Sequence, residues 1–556
     1  MSSARKHTGS LCTTIVLVVS ACGGEDPQRV NVGPTPAQEL VTSSEPARAE
    51  DSKPTPAHVA HEPRIEEAAG YQVDSGRRCD GFPAMHLQVR GGCAGLVAHK
   101  DLPAIASARG RFRPRTIVED PHHDNRMWIV DAGARRPRAG RVWRMEKSEG
   151  GWSIEVVFDR LDRPHGVGVG PDGWIYVGEI HRIVRFDPAD PTATRETVID
   201  ELPTELRDGS RIRFHPLKAF VFEPDWDLVV NMGSGTDHCA ESLPAPRCED
   251  ETDHLAALWR FEYLGDRRWG EPTPIAHGLR NSVALASHRS GLLLQAENGS
   301  DFPEGDRPAE ELNRIEDGKH YGWPYCYEAR GVDERWSHSD FRCDDASMHA
   351  APHLLLPAHG APLGMDWYEG ERIADLRGVL LISLHGYRAL GHRLIGLRAD
   401  ATGLPARDAE IFDVVSGWDA SERGPKGAPV DFTVARDGSI WMVEDNNGTV
   451  IRISTGEAAS ASRDSGELIA ADPAFVELLG SLLRPRCSPC HEFLAGEPDT
   501  ARTALQREGW LSEDPPRIVQ RTAANALRPM PPDQPLTSAE RRAIEAWVSA
   551  RPPADR

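Results

Sequence analysis

The chain is short of positive charge, of aromatic residues and of long apolar runs. It sets 64 Lys+Arg against 85 Asp+Glu, a formal net charge of -21. That balance excludes nucleic acid as a partner, because phosphate binding needs a basic surface. Aromatics make up only 6 %, yet 14 residues are Trp, which suits a sheet-rich protein with large packing anchors. The apolar run over 11–19 is too short to span a bilayer, and no other stretch offers a longer one. What remains is a chain of 556 residues, too many for one ordinary domain.

The N-terminus sets the expected compartment. Arg5, Lys6 and His7 precede the apolar run, and Val19-Ser-Ala-Cys22 follows it. This order resembles a bacterial lipobox, so residues 1–21 read as a lipoprotein signal peptide and Cys22 as the lipid-bearing residue that ties the chain to a membrane. A plain signal peptide with a stray cysteine is the alternative. Gly23 and Gly24 carry no acidic signal for inner-membrane retention. The expectation is a protein on the periplasmic side, lipid-anchored to the cell envelope at the outer membrane. Residues 22–75 are rich in Pro, Glu, Ala and Ser and read as a flexible linker.

Of ten cysteines, six fall into neighbouring pairs: Cys79 with Cys93, Cys239 with Cys248, and Cys326 with Cys343. In an exported protein such pairs read as disulfides.

Over 76–458 the sequence breaks into short apolar strand cores: Met127-Trp-Ile-Val130, Trp174-Ile-Tyr-Val177, Asp227-Leu-Val-Val230, Leu292-Leu-Leu294, Val379-Leu-Leu-Ile382 and Ile440-Trp-Met-Val443. Several follow tight turns such as Pro171-Asp-Gly173 and Arg436-Asp-Gly438. Most end beside a polar residue, among them Asp131, Glu179, Asn231, Glu297 and Glu444. A spacing of roughly 45 to 90 residues suits four-stranded blades with variable loops. The predicted fold is therefore mainly β, a six-bladed β-propeller, followed by a small all-α domain. A pair of β-sandwiches is the alternative, but sandwiches do not repeat a turn-strand unit in this way.

Residues 465–552 change to helical texture, and Thr537-Ser-Ala-Glu540 reads as a capping box opening a last helix. Within this region lies Cys487-Ser-Pro-Cys490-His491, the attachment signature of a c-type haem. The two thiols add to the haem vinyl groups and His491 meets the iron. Met530, in Leu527-Arg-Pro-Met-Pro-Pro532, is the natural second axial ligand. Imidazole opposite thioether makes an electron carrier without an open site. The order of helix, haem motif, methionine and final aromatic helix resembles a class I cytochrome c. A zinc site is the competing reading, but no second Cys/His cluster lies nearby to complete it.

Further motifs run through the β region. Gly278-Leu-Arg-Asn281, Glu297-Asn-Gly-Ser-Asp301, Glu310-Glu-Leu-Asn-Arg314 and Tyr321-Gly-Trp-Pro-Tyr-Cys-Tyr327 occur in close succession. Arg163-Pro-His-Gly166, His359-Gly-Ala-Pro-Leu-Gly-Met365, Ser383-Leu-His-Gly386 and Pro429-Val-Asp431 extend the set. Together they resemble the sugar dehydrogenases that use pyrroloquinoline quinone (PQQ), in particular the sorbosone/aldose dehydrogenase branch. The resemblance implies PQQ as cofactor, a sugar as substrate and Ca2+ as the cation that polarises the quinone. It makes His215, in Arg213-Phe-His-Pro-Leu-Lys218, the general base. It makes Arg280, Asn281, Lys218 and His385 cofactor contacts. It assigns the backbone carbonyls of Gly299 and Ser300 to the cation, with Glu297, Asp301 or Glu311 as further candidates. Pro216 and Leu217 stand where relatives carry smaller polar residues, and Ala428 where they carry an arginine, for which Lys426 or Arg423 is a candidate replacement. The expected whole is an oxidoreductase that takes electrons from an aldose or related sugar and passes them through haem c to a respiratory acceptor, a cytochrome or quinone system. Two alternatives stand beside it: a PQQ-less sugar-binding propeller with an electron-relay cytochrome, and a Ca2+-dependent lactonase-like hydrolase.

Overall fold

A computed structural model describes residues 65–68 and 71–456, apart from 109, 134–135, 149–150, 206–210, 213, 240–253, 387, 389 and 419–426. Beyond these it describes 473–487, 491–495, 497–498, 501–502, 505, 510–511, 517–522 and 536–550. The described residues fall in the compact unit His61–Arg556; the other unit, Met1–Ala60, lies outside them. Cys22 and the signal peptide are therefore outside the described residues.

The described chain is mainly β, with sheets in a propeller-like arrangement. Five blades have four or five strands each, and a seven-stranded sheet accompanies them. That larger sheet joins the two ends of the β region, where Cys93–His99 runs antiparallel to Thr449–Ser454. β structure begins earlier than the expected boundary at residue 76. Ile65–Ala68 and Tyr71–Cys79 already form a hairpin on this sheet. The linker reading to residue 75 is corrected for a physical reason: Tyr71 and Val73 are buried, and the Tyr71 hydroxyl donates to Glu444 at 3.1 Å.

Each of the six predicted strand cores lies in a different sheet of four or more strands. All six take the second place in the meander. Arg126–Asp131 and Leu228–Met232 are typical: their apolar runs are buried on both faces between neighbouring strands.

The polar residue closing each core has a structural task. Asp131 Oδ1 accepts the Arg113 amide at 2.8 Å and Glu179 Oε2 accepts the Asp162 amide at 2.6 Å. Asn231 Oδ1 accepts from Ala219 at 2.6 Å and Glu297 Oε1 from Asn281 at 2.9 Å. Ser383 Oγ accepts from Gly364 at 2.9 Å and Glu444 Oε1 from Ala428 at 2.8 Å. In every case the end of the second strand satisfies an amide at or just before the first strand of the same sheet. A buried amide without a partner would cost about 1–3 kcal/mol, so this device fixes the entry loops. Those loops carry the residues that face the central cavity.

The expected disulfides Cys79–Cys93 and Cys326–Cys343 are formed. Cys239 is also disulfide-bonded, and its expected partner Cys248 is outside the described residues.

The C-terminal region is helical. Its turns run over Pro473–Leu478, Leu479–Leu483 and Arg484–Cys487, with later helices Arg517–Thr522 and Ser538–Ala550. Phe475, Leu479, Leu483, Ile518, Ile544 and Trp547 share one core. The capping box forms as expected: Thr537 N donates to Glu540 Oε2 at 2.6 Å, and Glu540 N to Thr537 Oγ1 at 3.2 Å. Among the described residues no helix is long and apolar enough to cross a membrane.

Candidate active site

The entry loops converge on a cavity of ≈ 620 Å³. His215, Arg280, Asn281, Gly299 and His385, which come from four separate motifs, all line it. Five arginines face it (Arg113, Arg115, Arg163, Arg280 and Arg388) against three carboxylates, Asp301, Glu310 and Asp445. In an acidic chain this is a local excess of cation, and a concave site focuses such a field on anionic ligands.

His215 follows the half-exposed Phe214 and precedes the strand Phe220–Phe222. Its Nδ1 lies 2.8 Å from Ser234 Oγ and 3.2 Å from the Ser234 carbonyl. A carbonyl can only accept, so Nδ1 carries the proton and Nε2 is left as the basic nitrogen. Burial, reinforced by the nearby Arg280 charge, holds the His215 pKa well below its ordinary value, and the ring is neutral at neutral pH.

Arg280 is buried and held on three sides. Its Nε donates to the Asp237 carbonyl at 3.1 Å, its Nη1 to the Asn298 carbonyl at 2.9 Å, and its Nη2 to Asp237 Oδ1. Asp237 also meets His238 Nε2 at 2.9 Å. Burial opposes ionisation of Asp237, but His238 and Arg280 outweigh it and hold the carboxyl well below the usual range.

The loop at 298–301 is shaped from behind. Glu310 Oε2 accepts the Gly299 amide at 2.6 Å and Oε1 the Ala361 amide at 2.9 Å. Burial raises Glu310 to about 8. Glu297 accepts from Asn281, Ser282 and Gln295, and Glu311 from Glu328 and Asn313. These two carboxyls build loops and do not line the cavity, whereas Asp301, 77 % exposed at its side chain, does. Ser300 Oγ lies 3.5 Å from the Asp237 carbonyl.

Lys218 is placed differently from the sequence expectation. It is fully buried behind the wall, with Nζ 3.4 Å from the Pro216 carbonyl, and does not line the cavity. Burial, with Arg163 nearby, lowers its pKa to about 7.

On the opposite side His385 Nε2 meets Asp445 Oδ1 at 2.9 Å. Asp445 Oδ2 takes Arg115 Nη1 at 2.6 Å and Arg113 Nη2 at 3.2 Å. Sequence reasoning missed Arg113, Arg115, Asp237, Arg388 and Asp445. Of these only Asp445 had a local signal, since it directly follows a strand core and its closing Glu444. Ala428 is fully buried with its amide on Glu444, and Lys426 and Arg423 lie outside the described residues.

In the helical region His491 N donates to the Cys487 carbonyl at 2.9 Å, and the His491 ring stands edge-on to Trp510 at 4.9 Å. Cys490 and Met530 are outside the described residues.

Fold and site together define a β-propeller-like protein with one cationic, histidine-bearing cavity where the blade loops meet. Residues 97–456 match the TrAA12-like family, and the chain belongs to that family. The chain is similar in fold to the iodide structure of a Trichoderma reesei carbohydrate-active enzyme of family AA12, at 18 % identity and TM-score 0.50, covering 68 % of this chain and 100 % of that one. It is similar to the holo form of the PQQ domain of pyranose dehydrogenase from Coprinopsis cinerea, at 20 % identity and TM-score 0.50, covering 68 % and 99 %. An uncharacterized protein of Borreliella burgdorferi is 28 % identical over 187 residues, which are 32 % of this chain and 48 % of that protein. The chain thus spans about half the length of this curated relative.

Proposed function

We propose that the protein is an exported quinohaemoprotein that oxidises an aldose or related sugar with PQQ and Ca2+, its electrons leaving through a haem c in the same chain. The observation that carries this reading is the convergence of His215, Arg280, Asn281, Gly299 and His385 on one cationic cavity in a TrAA12-like chain. In this reading the seven-stranded sheet is the sixth blade, closed by strands from both ends of the β region. The likeness in fold to the PQQ domain of a pyranose dehydrogenase supports an oxidoreductase reading.

The donor set fits PQQ. A ligand with three carboxylates calls for fixed cations, and five arginines face a cavity of a size usual for small-ligand sites. Arg280, Asn281 and His385 would hold it, and Arg113 and Arg115 place positive charge in the cavity although Ala428 supplies none. The carbonyls of Gly299 and Ser300, with Asp301, would hold Ca2+, whose preference is for oxygen ligands. Bound PQQ supplies an electrophilic carbonyl carbon that accepts a hydride from the sugar carbon.

The chain's own residues do the rest. Neutral His215 takes the hydroxyl proton at Nε2, while Ser234 fixes the ring through Nδ1. Arg280, already anchored by Asp237, offers charge without reorganising. The haem, on Cys487, Cys490, His491 and Met530, supplies a one-electron carrier tethered at high effective concentration. The lipid on Cys22 keeps the enzyme at the envelope, near its respiratory acceptor.

The test is reconstitution of the purified haem-bearing protein with PQQ and Ca2+, following the haem band while aldoses are screened. Reduction that disappears when PQQ is omitted supports the reading. A haem that stays ferric with every sugar, although PQQ is bound, overturns it.

A further inference from the structure

Among the described residues lining the cavity, Phe214 is the one with a purely carbocyclic aromatic ring. Among the described residues it is also the one aromatic in the set of large hydrophobic side chains left exposed, at 52 %. Its ring centroid lies 6.1 Å from that of His215, tilted by 48°. Pro216 and Leu217 line the cavity directly beyond the histidine, so the proposed base is flanked on both chain sides by apolar surface. Elsewhere the wall is dominated by arginine, carboxylate and amide groups.

Leaving a phenyl ring half in water forgoes part of the free energy that full burial would release. An exposed ring beside a polar site is a place where ligand surface is to be covered. The ligand must then be amphipathic: C–H groups on one face and hydroxyls at its edge within reach of His215. A pyranose ring has this shape. Its axial C–H face meets an aromatic ring, while its equatorial hydroxyls point sideways to hydrogen-bonding groups. The cationic groups are already matched to an anionic ligand, which leaves the apolar strip for the neutral one.

The geometry points to Phe214 as the stacking platform for a pyranose substrate, with Pro216 and Leu217 extending the apolar strip, so that Phe214 selects the ring face and thereby the hydroxyl presented to His215. This rests on the reading of the cavity as a sugar-oxidising site, and it names a specificity residue within it. Phe214 touches the substrate in its ground state and throughout the reaction, so its contribution is to binding and falls mainly on KM.

The experiment compares F214L, which keeps bulk without a π face, with F214Y, which keeps the face. In the PQQ-loaded holoprotein F214L raises KM for pyranoses by about tenfold with kcat within about twofold, and F214Y stays within about twofold of the natural chain in both. In parallel, saturation-transfer NMR with methyl pyranosides, with electron acceptor withheld, reads binding without turnover. The ring C–H protons receive saturation in the natural chain and in F214Y, and lose most of it in F214L. Unchanged KM and unchanged saturation transfer in F214L overturn the platform. The two readings fail separately: absent turnover with F214L-sensitive sugar binding sinks the oxidation and leaves the platform, whereas normal turnover insensitive to Phe214 sinks the platform alone. Absence of any pyranoside signal in the natural chain, with or without PQQ, also overturns it.

Discussion

Asp445 grips His385 and Arg115 at once, with Oδ1 2.9 Å from His385 Nε2 and Oδ2 2.6 Å from Arg115 Nη1. The acid comes from the last strands of the β region and Arg115 from the first complete blade, so one buried carboxylate ties distant parts of the chain across the cavity. Its side chain is nearly inaccessible, and removing its charge strands two arginines and a histidine. Burial pushes its pKa up, but His385 and Arg115 outweigh that and hold it well below the usual carboxylate range. A depressed folded pKa contributes stability above about pH 3.9, lost as pH falls below it. Asp445→Asn is expected to cost about 3 kcal/mol at pH 7, read as a lower guanidinium midpoint. An unchanged midpoint contradicts the role.

His215→Ala is expected to lower kcat for sugar oxidation by about 100- to 10 000-fold while PQQ still titrates into the cavity. The pH profile is a second check. Because burial and Arg280 lower the His215 pKa, the free base persists into acid. The acid limb of kcat/KM should fall below the ordinary imidazole value of about 6.5. A limb at or above that value counts against His215 as the base.

Lys218 gives a stability signature of the same pH sense as Asp445, in a window at higher pH. Folded, its pKa is about 7, against about 10.4 in an unfolded chain. Between those values the unfolded chain holds a proton that the folded chain does not, so this residue makes stability rise with pH across that window. The slope from this group approaches about 1.4 kcal/mol per pH unit. Lys218→Met should remove it and raise the denaturation midpoint at pH 7.5 more than at pH 9.5. Equal changes at both pH values contradict the assignment.

The haem reading predicts that haem stays with the polypeptide through denaturing electrophoresis when the chain is matured in a host that attaches c-type haem. Cys487→Ser with Cys490→Ser abolishes the stain. Met530→Ala vacates one axial position, so the ferrous protein gains carbon monoxide binding that the natural chain lacks. Carbon monoxide binding in the natural chain contradicts Met530 as a ligand.

Much of the architecture was legible because its signals are local. A buried strand needs a continuous apolar run, and Met127-Trp-Ile-Val130 and its five counterparts supply one each. The polar residues closing those runs were visible too, but their task was not. Asp131 caps the Arg113 amide and Glu297 the Asn281 amide only once two strands are paired. The capping box at Thr537 and Glu540 lies within one helical turn and was read directly.

The sequence by itself determined the strand cores, two local disulfides, the capping box and the motif residues His215, Arg280, Asn281 and His385, because each is written within a few neighbouring positions. Only the tertiary structure decided that Arg113 and Arg115 share Asp445, residues separated by 332 and 330 positions, and that Arg280 leans on Asp237. It alone put Lys218 behind the wall and left Phe214 open beside His215. The reason is physical: the energy of a charge or an apolar ring depends on what surrounds it, and in a ring of sheets those surroundings come from blades far apart in the chain.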